Sequence, residues 1–137
     1  MNIKSHSIFV RIRYSETDQM GVVYHGNYAQ YLEMARVEWL RAMGISYKEM
    51  EENGVMLPVI QLSLRYISPA YYDDLLSVKV TLSKIPSVRI EFDYEITNEN
   101  KKLICTGNTV LAFVNINTRK PMKCPNYILE KLNEIEF

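Results

Sequence analysis

The residues best suited to chemistry lie in one short segment, residues 14–28, which places Asp18, His25 and a predicted helix start close together. Backbone N–H groups at a helix start have no partner within the helix and carry partial positive charge. They can polarise a carbonyl group or hold a developing oxyanion without using a side chain. A carboxylate such as Asp18 can then activate water or attack the carbonyl carbon. Gly26 has no Cβ and would let a substrate approach this backbone closely.

The same residue types have ordinary structural uses. An aspartate in a polar loop before a helix is more often a turn or capping residue, because its side chain readily accepts bonds from backbone N–H groups. His25 can equally be a helix-entry residue that is bonded to the backbone. The segment alone therefore leaves a structural interpretation open beside the chemical one.

A predicted strand and a predicted helix flank this segment. Residues 6–14 combine period-two alternation with β-branched side chains, which predicts a strand. Asn27 is a good N-cap with Gln30 at the capping-box position, and Gly44 supplies a C-terminal stop. The sequence therefore predicts a long helix that begins beside the candidate site.

This helix carries one apolar stripe. Its members recur at helical spacing and are Tyr28, Tyr31, Leu32, Ala35, Trp39, Ala42 and Met43. Arg36 and Arg41 are expected to face away from the stripe. A second, short helix is predicted from Ser46, with Glu49 at the capping-box offset.

From residue 55 onward the chain is rich in the residue types that favour strands. The predicted strands are residues 55–68, 75–84, 88–97 and 103–117, followed by a helical turn or two within 126–135. Short turns at residues 69–74, 85–87 and 98–101 predict antiparallel hairpins. Helices placed before a run of strands indicate an α+β fold with an antiparallel sheet.

A single amphipathic helix can cover only one face of such a sheet. A second copy of the chain can extend the open edge of the sheet or cover its other face. We therefore predict an antiparallel sheet with one long helix against one face, completed by oligomerisation.

Length and composition exclude several classes of protein. The 137 residues fit one domain, and equal numbers of basic and acidic residues, 16 of each, give no electrostatic reason to expect nucleic-acid binding. No apolar run approaches the roughly 18 residues of a membrane span, and no signal-peptide pattern follows Met1, so we expect a cytoplasmic protein. Two cysteines and two histidines predict neither a disulfide framework nor a metal site.

Residues 14–28 resemble the signature of the 4-hydroxybenzoyl-CoA thioesterase branch of the hotdog superfamily. The matching residues are Tyr14, Asp18, Gly21, Val22, Val23, Asn27 and Tyr28. The Tyr24-His25 pair is most similar to small bacterial acyl-CoA thioesterases of the Tol-Pal-associated type. Weaker matches lie at Tyr31, Glu33, Ala35, Arg36, Arg65, Tyr66, Pro69, Ala70, Asp73, Asp74 and Leu75. The resemblance implies one hotdog domain over residues 1–137 that hydrolyses acyl-CoA to a carboxylic acid and CoA. It also implies a curved antiparallel sheet wrapped around one long central helix, assembled as a homodimer or homotetramer.

The resemblance also implies roles for individual residues. Asp18 corresponds to the family's general base or nucleophile. The backbone N–H of His25 corresponds to the group that polarises the thioester carbonyl, and its side chain to a histidine that orients water. Substrate binding is expected at Tyr24, Gly26, Asn27 and Tyr28, and contacts to the pantetheine or phosphates of CoA at Lys84, Ser87 and Arg89. No cofactor is expected, since CoA is part of the substrate.

Two other functions remain open at this point. A hotdog hydratase or dehydratase would use a histidine and a glutamate for proton transfer, and His25 and Glu33 are available, although the dehydratase-type motif is missing. A non-catalytic protein that binds acyl thioesters would keep the pocket without needing Asp18. The acyl group, and the choice between CoA and acyl-carrier protein as its carrier, cannot be read from the sequence.

Overall fold

A computed structural model describes residues 4–137 and has a long helix lying across a five-stranded antiparallel sheet. The elements in chain order are β1 (Ser5–Arg11), α1 (Tyr28–Ala42), α2 (Tyr47–Glu52), β2 (Val55–Met56), β3 (Val59–Tyr66), β4 (Leu75–Leu82), β5 (Arg89–Thr97), β6 (Leu103–Ala112), β7 (Val114–Asn115) and α3 (Asn126–Leu132). The large sheet has the order β1-β4-β5-β6-β3, and β2 pairs with β7. The predicted α+β fold, an antiparallel sheet with one central helix, is confirmed.

Alternating side chains make one face of the sheet apolar. On β4 and β5 every second residue is buried, and Val78, Val80 and Phe92 are completely buried. α1 covers this face, and the Trp39 ring meets the Phe92 ring edge-to-face with 5.2 Å between centroids. Because α1 packs mainly against β1 and β4, the side of the sheet that ends in β3 is less covered.

β3 is an edge strand with both faces open to solvent. Val59, Leu62 and Tyr66 are 43%, 46% and 51% exposed. The pairing of β3 with β6 shifts between Val59 and Gln61, so Ile60 is an extra residue that forms a bulge. The bulge returns Val59 to the face of Leu62, where both line a cavity beside α1. One chain therefore leaves an apolar row on β3 half exposed.

The antiparallel register gives the sheet two distinct ends. One end, called here the catalytic end, holds Arg11 of β1, Leu75 of β4 and Tyr66 of β3. The opposite end, called the far end, holds Val59, Leu82 and Arg89. The seven residue steps along β4 from Leu75 to Leu82 separate these ends by roughly 24 Å.

Three predictions about these elements are wrong. β3 and β4 do not form a hairpin, since β4 pairs with β1 and β5 and the connection crosses the sheet. Residues 55–68 are not one strand, because pairing is interrupted between β2 and β3. Arg36 does not face away from the apolar stripe: it is 7% exposed and its Nη1 donates to Tyr94 Oη at 3.4 Å. Ser46, in contrast, caps α2 as predicted, since its Oγ accepts the Glu49 N–H.

Candidate active site

Asp18 lies in a tight turn at the catalytic end of the sheet. Its backbone N–H donates to the Val22 carbonyl at 2.9 Å, and its carbonyl accepts the Gly21 N–H at 3.0 Å. Gly21 has φ 80°, a conformation that glycine adopts without strain. Asp18 Oδ1 accepts the Met20 N–H at 2.8 Å and the Val22 N–H at 3.4 Å. The carboxylate therefore stabilises its own turn through Oδ1, and no hydrogen bond from residues 4–137 to Oδ2 is found.

The turn is fastened to the connection between β3 and β4. The Val23 N–H donates to the Ala70 carbonyl at 2.9 Å, and Val22 forms an antiparallel bridge with Tyr71. Ala70 is completely buried. These bonds hold Asp18 at a fixed place beside the end of β3.

A single turn of 3-10 helix, His25–Asn27, leads into α1. No side chain caps either helix start. Asn27 has helical dihedral angles, φ −76° and ψ −22°, and its side chain donates to the Glu16 carbonyl at 2.8 Å. The predicted N-cap and capping box at Asn27 and Gln30 are therefore wrong. The consequence is a helix start whose first N–H groups are not used by a capping side chain.

A cleft of about 320 Å³ opens between the turn, the helix start and β3. It is lined by Asp18, Val22, Val23, His25, Tyr28, Tyr66, Ile67, Ser68 and Pro69. Of the predicted site residues, the cleft brings together Asp18, His25 and Tyr28. Burial raises the pKa of Tyr28 to about 12, so its hydroxyl is protonated at neutral pH.

Three predicted substrate-binding residues do not line the cleft. The Tyr24 ring lies against the His25 ring, with 4.4 Å between centroids. A Cβ at Gly26 would come within 2.6 Å of Tyr24 Cε2, so the missing side chain accommodates this ring. Asn27 is turned toward Glu16. The assignment of Tyr24, Gly26 and Asn27 to substrate binding stays a prediction.

The residues predicted to contact CoA lie elsewhere. Lys84, Ser87 and Arg89 are exposed and occupy the turn between β4 and β5 and the start of β5. This turn is at the far end of the sheet, away from Asp18 of the same chain. Their role also stays a prediction.

Sequence reasoning assigned no role to one wall of the cleft, Tyr66 and residues 67–69. The Tyr66 hydroxyl donates to the His25 carbonyl at 3.1 Å, although the two residues are 41 positions apart. The ring of Tyr66 is also 5.5 Å from that of Tyr28. The sequence held a weak signal, since Tyr66 and Pro69 belong to the resemblance, but nothing in it showed that β3 ends beside the helix start.

Other chemistries find little support in the described residues. Cys105 and Cys124 are buried free thiols, and burial raises their pKa values to about 11 and about 12, so neither is a thiolate at neutral pH. Within residues 4–137 no three side chains of metal-ligating types converge. No helix in this range is long and apolar enough to cross a membrane.

Comparison with known proteins agrees with this geometry. The family model described as the thioesterase-like superfamily matches residues 12–132. The chain is similar to a putative acyl-CoA thioesterase, YneP of Bacillus subtilis, at 30% identity over 83% of each chain. It is also similar to the acyl-CoA thioester hydrolase YbgC of Escherichia coli, at 28% identity over 91% of this chain and 93% of that one.

Solved structures give the same result. A DHNA-CoA thioesterase from Staphylococcus aureus superposes with a TM-score of 0.85 and 37% identity, covering 90% of this chain and 83% of the other. A protein from Thermus thermophilus superposes with a TM-score of 0.86 and 34% identity, over 93% and 96% of the two chains. The predicted hotdog fold and thioester hydrolase are therefore confirmed. On the family match and these relatives, the chain belongs to the thioesterase-like superfamily.

Proposed function

We propose that the protein hydrolyses acyl-CoA thioesters in the cleft beside Asp18. The thioester carbonyl oxygen receives a hydrogen bond from the backbone N–H of His25, in the 3-10 turn that leads into α1. Asp18 acts as general base toward water or as the nucleophile. With water, a C–O bond forms and the C–S bond breaks, the water proton passes to the carboxylate, and CoA leaves as a thiolate that is then protonated. The products are a carboxylic acid and CoA.

One observation carries the proposal: Asp18 and an uncapped helix start open on the same cleft. Oδ1 of Asp18 is engaged by its turn, so Oδ2 is the oxygen available to water or to the thioester. Partial positive charge at the helix start stabilises the oxyanion that develops on the carbonyl. A base and an oxyanion donor on one cleft are the two groups that thioester hydrolysis needs.

Asp18→Asn tests this mechanism. Asparagine retains the oxygen that accepts the Met20 N–H, so the turn is preserved while the charge is lost. Removal of a positioned acid–base group costs on the order of 10²–10⁴ in rate, so kcat should fall at least about a hundredfold with little change in folding. His25→Ala should cost less, because it keeps the backbone N–H.

Steady-state kinetics over aromatic, short, medium and long acyl-CoAs is the measurement. Asp93→Asn, on the outer face of β5, is the matched control and should hydrolyse at the wild-type rate, because Asp93 lies outside the cleft. An Asp18→Asn enzyme as fast as wild type would exclude the proposed mechanism.

The assembly that suits this function is a dimer formed through β3. An exposed apolar edge strand favours pairing with a second copy. Antiparallel pairing of two β3 strands about a twofold axis brings the far end of one copy beside the catalytic end of the other. Lys84 and Arg89 of the partner subunit would then lie on the same side of the sheet as Asp18, where they can contact CoA phosphates. The dimer thus explains how residues at opposite ends of one chain serve a single substrate, and two dimers can make a tetramer.

The dehydratase alternative is weakened by the position of Glu33. Glu33 is exposed on α1 and lines cavities on its outer sides, whereas His25 lines the cleft. A histidine and a glutamate that share a proton-transfer path must both reach the substrate. In one chain they do not share a cavity, and this favours hydrolysis by Asp18. A cytoplasmic location suits the two free thiols.

A further inference from the structure

The side chain of Asn27 is used in an unusual way for its position. Asparagine before a helix commonly accepts the N–H of the second or third helical residue. Here the amide instead donates across the loop, from Nδ2 to the Glu16 carbonyl at 2.8 Å. The first turn of α1 therefore has no side-chain cap.

The Glu16 carbonyl is a junction between the two halves of the site. It accepts the Tyr24 N–H at 2.9 Å in addition to the Asn27 amide. Glu16 lies two positions before Asp18, while Tyr24 and Asn27 bracket His25. One carbonyl oxygen thus ties the segment that holds the carboxylate to the segment that holds the oxyanion donors.

Glu16 itself is firmly held. It is 7% exposed, and its Oε1 accepts the Arg13 N–H at 2.7 Å. Burial and the nearby Glu16 carboxylate together raise the pKa of Tyr31, a core residue of α1 that is 1% exposed. The junction is therefore bonded to the chain just after β1.

We propose that Asn27 is a positioning residue for catalysis. By donating to the Glu16 carbonyl it fixes the separation between Asp18 and the 3-10 turn that holds the His25 N–H. This inference rests on the proposed function. A displacement of about 1 Å between reacting groups can cost about a hundredfold in rate, so a small change in this hydrogen bond has a large catalytic effect.

Two substitutions separate positioning from stability. Serine is too short to reach the Glu16 carbonyl but can cap α1, which Asn27 does not do. The new cap should offset the lost hydrogen bond, so Asn27→Ser should retain the melting temperature while kcat falls on the order of tenfold. Asn27→Asp keeps the size, removes the donor and places a negative charge at the helix start, so kcat should fall on the order of a hundredfold. KM should change little in both variants, because neither removes a group that lines the cleft.

Asn126→Asp is the matched control, since it makes the same change at the exposed first residue of α3. It should hydrolyse at the wild-type rate. The assay measures kcat, KM and melting temperature of the full chain on its best acyl-CoA, beside Asp18→Asn. Asn27 variants with wild-type kcat beside an inactive Asp18→Asn enzyme would overturn this inference alone, as would a kcat loss that only follows a loss of folded protein. A fully active Asp18→Asn enzyme would overturn the proposed function and this inference with it.

Discussion

The two ends of the sheet are built in different ways. At the catalytic end, backbone hydrogen bonds cross between segments: Val23 bonds Ala70, and Tyr24 bonds Glu16. At the far end, Lys84 and Arg89 are exposed basic residues beside a short turn, and neither forms a salt bridge among the described residues. At the first end, these backbone bonds hold the segments around Asp18, the proposed catalytic residue, in place. The second end presents free positive charge suited to a flexible anionic ligand.

One chain therefore separates the proposed chemistry at Asp18 from the expected phosphate contacts by the length of a strand. A thioester substrate needs both at one place. The proposed dimer would bring them together through the open edge at β3, because a twofold copy reverses the sheet and sets one catalytic end beside one far end. The comparison therefore makes predictions for the edge, for the two ends of the sheet and for the outer face of α1.

The largest effect is expected at the edge itself. Leu62→Lys places a charge on the half-exposed apolar row of β3. An unpaired charge at the centre of an interface typically costs 2 kcal/mol or more, about thirtyfold in the dimer dissociation constant. The variant should dissociate at micromolar concentration and lose most of its activity, because its clefts are then incomplete. Analytical ultracentrifugation and thioesterase assays on the same samples measure both.

Tyr127→Lys on α3 is the control, since Tyr127 is 37% exposed and lies outside β3. It should leave assembly and activity unchanged. A monomeric wild-type protein with full activity would show that each chain works alone. Catalysis would then not depend on bringing the two ends of the sheet together in a dimer.

A smaller effect is expected at the far end. Lys84→Glu combined with Arg89→Glu should raise KM for acyl-CoA, by about tenfold at low salt and less at high salt, because exposed charges are screened. The kcat value should change little. Initial-rate measurements over a range of ionic strength test this.

The turn between β5 and β6 provides a second test of which end of the sheet binds the CoA phosphates. Lys101 and Lys102 are exposed and lie at the catalytic end, next to the start of β6. If phosphates bind within a single chain, Lys101→Glu with Lys102→Glu should raise KM and the far-end variant should not. The dimer predicts the reverse.

The smallest effect is expected at Glu33. Glu33→Gln should leave thioester hydrolysis within about twofold of wild type, because the side chain lies outside the cleft and keeps its size. A dehydratase that uses His25 and Glu33 would lose its activity in the same variant. Assays of hydrolysis and of hydration on one preparation distinguish the two functions, and a hydrolysis rate that falls a hundredfold would place Glu33 in the mechanism.

Local patterns predicted most of the fold. The alternation in β4 and β5 and the helical spacing of Tyr31, Leu32 and Trp39 arise from contacts between near neighbours, which the sequence displays directly. Ser46 and Glu49 lie three positions apart, so their cap is also local. These elements were predicted within a few residues of their observed bounds.

The wrong predictions concern partners that are distant in the chain. Arg36 is buried because Tyr94, 58 positions away, accepts its hydrogen bond. Asn27 is not a cap because the Glu16 carbonyl, 11 positions earlier, competes for its side chain. For the site, the residue types around Asp18 and His25 indicated the chemistry. The wall formed by Tyr66 depends on where β3 ends in space, which no local pattern contains.

The bulge at Ile60 affects how a second strand can align along β3. A strand added along β3 finds regular alternation from Gln61 to Tyr66, and the alternation is interrupted at Ile60. A partner strand shifted by one residue would place its apolar side chains on the opposite face of the sheet. Its own bulge would also be displaced by one residue. In the proposed dimer, the bulge therefore limits pairing along β3 to one alignment of the two copies.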